Sequence, residues 1–268
     1  MTGVQTCALP ISIGKPFKDK PTLFSPAIWQ GPSIGCRFVI TDDALSRLVR
    51  VLAKKVKANI QSDVQESELI AYHNSFVLYV CLMQALLTSY RSVNDPVDLI
   101  DCFKESDFLF PAATLSDKDN VEQESARLCL ITKLLQDQFK HWLEHVLALD
   151  RRLEVAAWKE ERRPSLFYLD EETKPQSITR SWIEAQFEQL GFKIPANFHR
   201  SFLRSSLIEQ RCPAEVVDSF LGHASHGESP FAERSTFAYW RHQTRLSKAL
   251  ASVADSIGLK SLTSKLVA

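Results

Sequence analysis

Between Leu69 and Tyr90 the chain is so nearly all apolar that a helix there has little face to give to water. A helix that is apolar all round must be enclosed by other elements, so this run dictates a layout with one central helix and the rest packed around it. Its most apolar part, Phe76 to Leu87, is interrupted by Gln84 and is short for a bilayer span, which favours a buried helix over a membrane one. Pro96, at the end of the stretch LTSYRSVNDP, bars the helix from continuing. The chain has 268 residues, 45% of them hydrophobic and 24% charged, enough to bury such a helix in one or two domains.

The flanking segments supply the packing. Residues 1–11, MTGVQTCALPI, resemble the translation of a sequencing-library adapter and are set aside, with the natural amino terminus expected to be missing. Residues 12–37 are rich in Pro, Gly and Lys and read as an extended lead-in, which leaves 38–268 as the domain. Thr41 is placed to cap a helix whose Leu45, Leu48, Val49, Leu52 and Val56 share one face, with its basic flanks solvated. Short apolar runs at Phe108–Phe110, Thr114–Leu115 and Arg127–Ile131 suggest a small antiparallel sheet with a hairpin around SDKDNVEQES. Thr132–Leu149 is amphipathic and helical, Leu166–Leu169 a short strand, and Ile178–Leu190 a further helix. The predicted fold is mainly α with a small antiparallel β-sheet.

Six scattered cysteines without a CxxC pair read as reduced thiols of a cytoplasmic protein. His141 and His145 have a spacing that zinc sites use, but no third ligand accompanies them, so both read as surface histidines. Net charge is zero, which by itself argues against phosphate binding. The charges are unevenly spread, however. Acids crowd between Asp98 and Glu124, whereas from Lys193 onward ten Lys and Arg face six Asp and Glu.

That basic excess coincides with the most informative stretch, Ala196 to Tyr239. Arg200, Arg204 and Arg211 fall on one predicted helix, and Gly222-His223 closes the next. A guanidinium grips a phosphodiester well because its planar fork makes paired, charge-assisted hydrogen bonds to two oxygens. A histidine and a tyrosine nearby would add a donor and a nucleophile for phosphoryl transfer. From Arg200 to His223 the pattern resembles the catalytic domain of tyrosine recombinases, the phage-integrase family. There an arginine opens a helix, a Leu-rich turn follows, and a second helix ends in Leu-Gly-His, here Leu221-Gly222-His223.

The resemblance spans roughly residues 38 to 268 and implies a set of roles. Arg91, following the central helix, and Arg200 would clamp the scissile phosphate, with Asn94 where the family often has Glu. Lys118, in the hairpin, would protonate the leaving 5′ oxygen. His223 and Asn197 would add hydrogen bonds, Asn197 standing where the family usually has histidine. Tyr239 would attack phosphorus, although it lies seven residues beyond the family's usual position, here Ala232. Arg180, His199 and Arg204 are further candidate DNA contacts. The implied partners are double-stranded DNA and further copies of the chain in a tetrameric synapse, in a bacterial, cytoplasmic, DNA-associated setting without a membrane. The tyrosyl ester conserves the bond energy, so no cofactor or metal is expected, and the segment after Tyr239 would dock on a neighbouring protomer. A missing amino-terminal DNA-embracing domain is also implied.

Three other readings remain. A degenerate recombinase that binds DNA without cutting it would account for Asn197 and the displaced tyrosine. A helix-turn-helix regulator would need an exposed, basic second helix, whereas Glu215-Val216-Val217-Asp218 is apolar and acidic. A plain helical interaction domain leaves the spacing of Arg91, Lys118, Arg200 and His223 unexplained.

Overall fold

In the computed structural model, which describes residues 40–60, 65–90, 112–116, 126–153, 164–223 and 239–267, the apolar run lies at the centre. Its helix, α2, is Glu66–Thr88, preceded by α1 at Asp42–Val56. Around α2 pack α1, α3 (Lys133–Leu153), the strand β3 (Phe167–Leu169), α5 (Phe198–Glu209) and α7 (Tyr239–Ser256). The remaining elements are strands β1 (Ala112–Ser116), β2 (Ala126–Leu130) and β4 (Pro175–Ser177), and helices α4 (Arg180–Gln189) and α6 (Ala214–Phe220). The described residues thus form a mainly helical protein with small antiparallel hairpins. β1 pairs with β2 and β3 with β4.

With 23 residues, α2 is long and apolar enough to cross a membrane by length and composition, although its core run alone is short. Its sides are instead taken up by protein. Phe76, Val77, Tyr79, Val80 and Met83 are completely buried. The helix stops at Thr88, well before Pro96, because Ser89 turns left-handed at φ 56°. Thr88 Oγ1 donates back to Gln84 O at 2.7 Å and accepts from Tyr90 N at 3.2 Å, so the local chain carries its own stop signal.

The cap on α1 is as the sequence predicts. Thr41 Oγ1 accepts from Ala44 N at 3.3 Å, acids occupy the first turn and Lys54 and Lys55 the last. Thr41→Ala should cost about 1 kcal/mol of stability, read from the urea midpoint. Strands β1 and β2 pair from Ala112↔Leu130 to Ser116↔Ala126, which agrees with a hairpin around SDKDNVEQES. The β3–β4 hairpin, of which only the first strand is predicted, is built by Asp170. Its carboxylate accepts from Glu172 N, Lys174 N and Gln176 Nε2 at 3.0, 2.9 and 2.8 Å. On α2, Asn74 pairs with both backbone groups of Leu169 at 2.8 Å, so the hairpin is fastened to the central helix.

His145 corrects the sequence reading. It is fully buried, while His141 sits nearer the surface against Glu144 at 3.2 Å. Four groups form a chain through the core. His73 Nε2 lies 3.0 Å from Phe167 O, His73 Nδ1 3.0 Å from His145 Nε2, and His145 Nδ1 2.7 Å from Ser264 Oγ. A carbonyl can only accept, so His73 donates from Nε2, accepts at Nδ1 from His145, and His145 accepts from the Ser264 hydroxyl. Every proton is placed with both rings neutral. Burial, reinforced by the neighbouring His73, holds the His145 pKa well below the usual imidazole range. Phe76, Trp142 and Phe167 surround the pair.

The segment after α7 turns back across α2 and α3 of its own chain. Tyr79 Oη donates to Lys260 O at 2.6 Å, and Gln138 bonds both the carbonyl and the N–H of Leu262, at 3.1 and 2.8 Å. Tyr72 Oη accepts from Lys265 N at 2.7 Å, and Leu259, Leu262 and Leu266 are buried. Burial pushes the Tyr79 hydroxyl up to about 12, against the smaller opposing effect of its bond to Lys260. Cys81, Cys129 and Cys212 are buried free thiols, in line with the reduced state predicted, and burial pushes Cys81 up to about 12.

Candidate functional site

Two helix ends and one helix beginning meet at Arg200. It lies in the first turn of α5, which Pro195 and Asn197 introduce, and is 8% exposed. Its Nη1 donates to Ser89 O at 2.7 Å, at the exit of α2. Its Nη2 donates to Leu221 O at the end of α6 and meets His223 Nε2 at 3.2 Å. Arginine only donates, so His223 Nε2 is the acceptor, and a neutral His223 then carries its proton on Nδ1. The guanidinium is therefore held by backbone carbonyls on the inside and by an exposed imidazole at the rim.

The Leu-Gly-His sequence has a local cause. Gly222 stands at φ 68°, and the chain closes with His223 N to Asp218 O at 2.7 Å and Gly222 N to Ser219 O at 3.1 Å. This is the paired closure of a left-handed helix terminus, which a side chain at the glycine position would strain. It reverses the chain after Leu221, so that one turn supplies Arg200 with both the Leu221 carbonyl and the His223 ring. Phe220, Leu221, Val216 and Val217 anchor that turn in the core.

The other predicted residues lie as follows. Asn197 stands at the N-cap position of α5, half-buried, with its carbonyl accepting from Arg200 N at 3.3 Å. His199 is 1% exposed, inside rather than on the surface where a DNA contact would require it. One residue along a helix turns the side chain by about 100°, which carries His199 towards the core, where Nε2 lies 2.8 Å from Tyr90 O and Nδ1 3.2 Å from Ala196 O. Arg204, one turn beyond Arg200, pairs with Asp218 and so ties α5 to α6 at the surface. Arg180 is exposed in the first turn of α4 and pairs with Glu184 at 2.9 Å. Arg91 and Lys118 lie outside the described residues. Tyr239 opens α7, and its side chain is outside the description too.

The fold thus brings together Arg200, His223, Asn197 and the Ser89–Tyr90 turn, from sequence positions more than a hundred residues apart. A buried guanidinium beside an imidazole presents a poorly screened positive charge, the charge an oxyanion requires. No cluster of three or more His, Cys, Asp or Glu able to hold a metal occurs among the described residues. Sequence reading missed the role of Ser89–Tyr90 and the His73–His145–Ser264 chain. The latter had a signal: His73 sits in a largely apolar helix, and a buried polar side chain requires partners. No known protein family, curated protein or solved structure matches the chain.

Proposed function

We propose that the chain is a tyrosine recombinase catalytic domain, which cleaves and rejoins DNA strands through a 3′-phosphotyrosyl intermediate. The observation that carries this reading is the contact of Arg200 with His223, made against the exit of α2. On this reading Arg200 and Arg91 clamp the non-bridging phosphate oxygens, with His223 and Asn197 adding hydrogen bonds. Tyr239 attacks phosphorus and releases its phenolic proton to solvent, the 5′ oxygen leaves with a proton from Lys118, which solvent restores, and a 5′ hydroxyl of the partner duplex reverses the step. The P–O bond broken is replaced by a P–O bond to tyrosine, so the exchange needs no external energy source. Double-stranded DNA and a tetramer of the chain on it are the partners of this reaction.

A second reading, a recombinase-like protein that binds DNA without cutting it, is favoured by Asn197, which donates a hydrogen bond but cannot shuttle a proton as histidine does. Incubation with a nicked duplex library of random sequence separates the two. Recombinase activity predicts a covalent protein–DNA adduct, with the nucleotide mapped by mass spectrometry to the peptide that contains Tyr239. Binding without any adduct would establish the second reading, and an adduct on another residue would displace Tyr239.

A further inference from the structure

We propose that His199 is a positioning residue for Arg200, acting through the Ser89–Tyr90 turn; this rests on the recombinase reading. Ser89 is left-handed at φ 56° although it is not glycine, a conformation that persists only where the surroundings hold it. It is completely buried, and its own hydroxyl has no hydrogen-bond partner among the described residues, so the serine side chain does not do the holding. The N–H groups of the turn are held from within α2, Ser89 N by Ala85 O at 2.9 Å and Tyr90 N by Thr88 Oγ1 at 3.2 Å, and its carbonyls are held from α5. Arg200 Nη1 takes Ser89 O at 2.7 Å, and His199 Nε2 takes Tyr90 O at 2.8 Å. Two adjacent side chains at the start of α5 therefore grip two adjacent carbonyls at the exit of α2.

The two grips share one turn. The peptide that carries Ser89 O is held at its N–H end by Thr88 Oγ1, 3.2 Å from Tyr90 N, and the next peptide, whose carbonyl His199 binds, fixes the direction in which the turn leaves α2. With the His199 bond lost, the turn can relax towards a less strained backbone, and Ser89 O leaves the place where Arg200 needs it. The guanidinium then keeps Leu221 O and His223 and loses the bond to Ser89 O that sets its plane. His199 touches no substrate in this arrangement, and its effect appears only in the rate.

The test exploits amide geometry. A glutamine amide reaches the place of histidine Nε2 and can donate to Tyr90 O, whereas an asparagine amide reaches only the place of Nδ1, towards Ala196 O. Single-turnover adduct formation on nicked duplex would be measured for the parent, His199→Gln and His199→Asn, alongside DNA affinity and thermal unfolding. The parent should form adduct, and His199→Gln should stay within about threefold of it, whereas His199→Asn should fall by about tenfold or more, with unchanged DNA affinity. Should His199→Asn not fold, His199→Met, which donates to neither carbonyl, takes its place with the same expected loss. Equal rates for the folded Gln and Asn (or Met) variants overturn the positioning role while leaving the recombinase reading intact. A parent that binds DNA without forming adduct brings down both.

Discussion

Arg200→Ala is expected to lower single-turnover adduct formation by roughly 10²–10³-fold, the scale set by removing one preorganised donor from a developing oxyanion. The same substitution should destabilise the fold. It strands Ser89 O and Leu221 O, which Arg200 now satisfies, and a buried acceptor left without a partner costs about 1–3 kcal/mol. Arg200→Lys separates the two effects. An ammonium keeps the charge and can serve one carbonyl, but it lacks the planar fork that reaches Ser89 and Leu221 together. The lysine variant should therefore recover part of the melting temperature while cleaving nearly as poorly as alanine. Adduct kinetics beside thermal unfolding give the answer, and a lysine variant that cleaves at the parent rate would refute an orienting role for the fork.

Acid should weaken the protein earlier than its carboxylates require. His145 is neutral in the folded state because burial and His73 depress its pKa, whereas in the unfolded chain it titrates at about 6.5. Below that pH the unfolded state binds a proton that the folded state refuses. The stability is therefore complete above about pH 6.5 and is lost as the pH falls beneath it, at about 1.4 kcal/mol per pH unit for as long as the folded ring stays neutral. Asp170, whose pKa is lowered chiefly by its bond from Lys174, acts only further down, near the carboxylate range. His242 is shifted in the same direction as His145, mainly by desolvation, and is common to both proteins in the comparison below. Urea unfolding of the parent and of His145→Gln at pH 7.5, 6.5 and 5.5 would isolate the His145 contribution. The variant should be less stable at pH 7.5 yet show the shallower decline. Parallel declines would mean that His145 does not set the acid limit.

Much of the architecture was legible from periodicity. The nearly all-apolar run placed α2 at the centre, and Thr41 with its regularly spaced leucines located α1, because both are local signals in which chain pattern and burial coincide. The Arg200–His223 spacing was also readable, since α5, α6 and their connecting turn are short and contiguous. What could not be read was long-range. Nothing near Ser89 announces that its carbonyl meets an arginine more than a hundred residues later, and no local pattern distinguishes an inward His145 from an outward His141. His199 shows the same limit at a single position. Its neighbour Arg200 serves the proposed site, but helix geometry sends the adjacent side chain to the core, where its partner was invisible in sequence. Arg91 and Lys118 rest on the resemblance alone.

The segment that follows α7 is fastened in an unusual way. Tyr79, Gln138 and Tyr72 each take hold of its main chain, at Lys260, Leu262 and Lys265, and none of them reads a side chain there. Such anchoring is indifferent to which residues occupy the outward positions but is strict about their number. Lys260 and Lys265 can drift to other polar residues without disturbing a single anchor. Inserting or deleting one residue between them shifts later peptide groups away from their fixed partners and turns the buried leucines outward. Apart from Ser264, whose hydroxyl His145 holds, and the buried leucines, selection here acts on length more severely than on composition, so related chains are expected to align over this segment without gaps even where its outward residues differ.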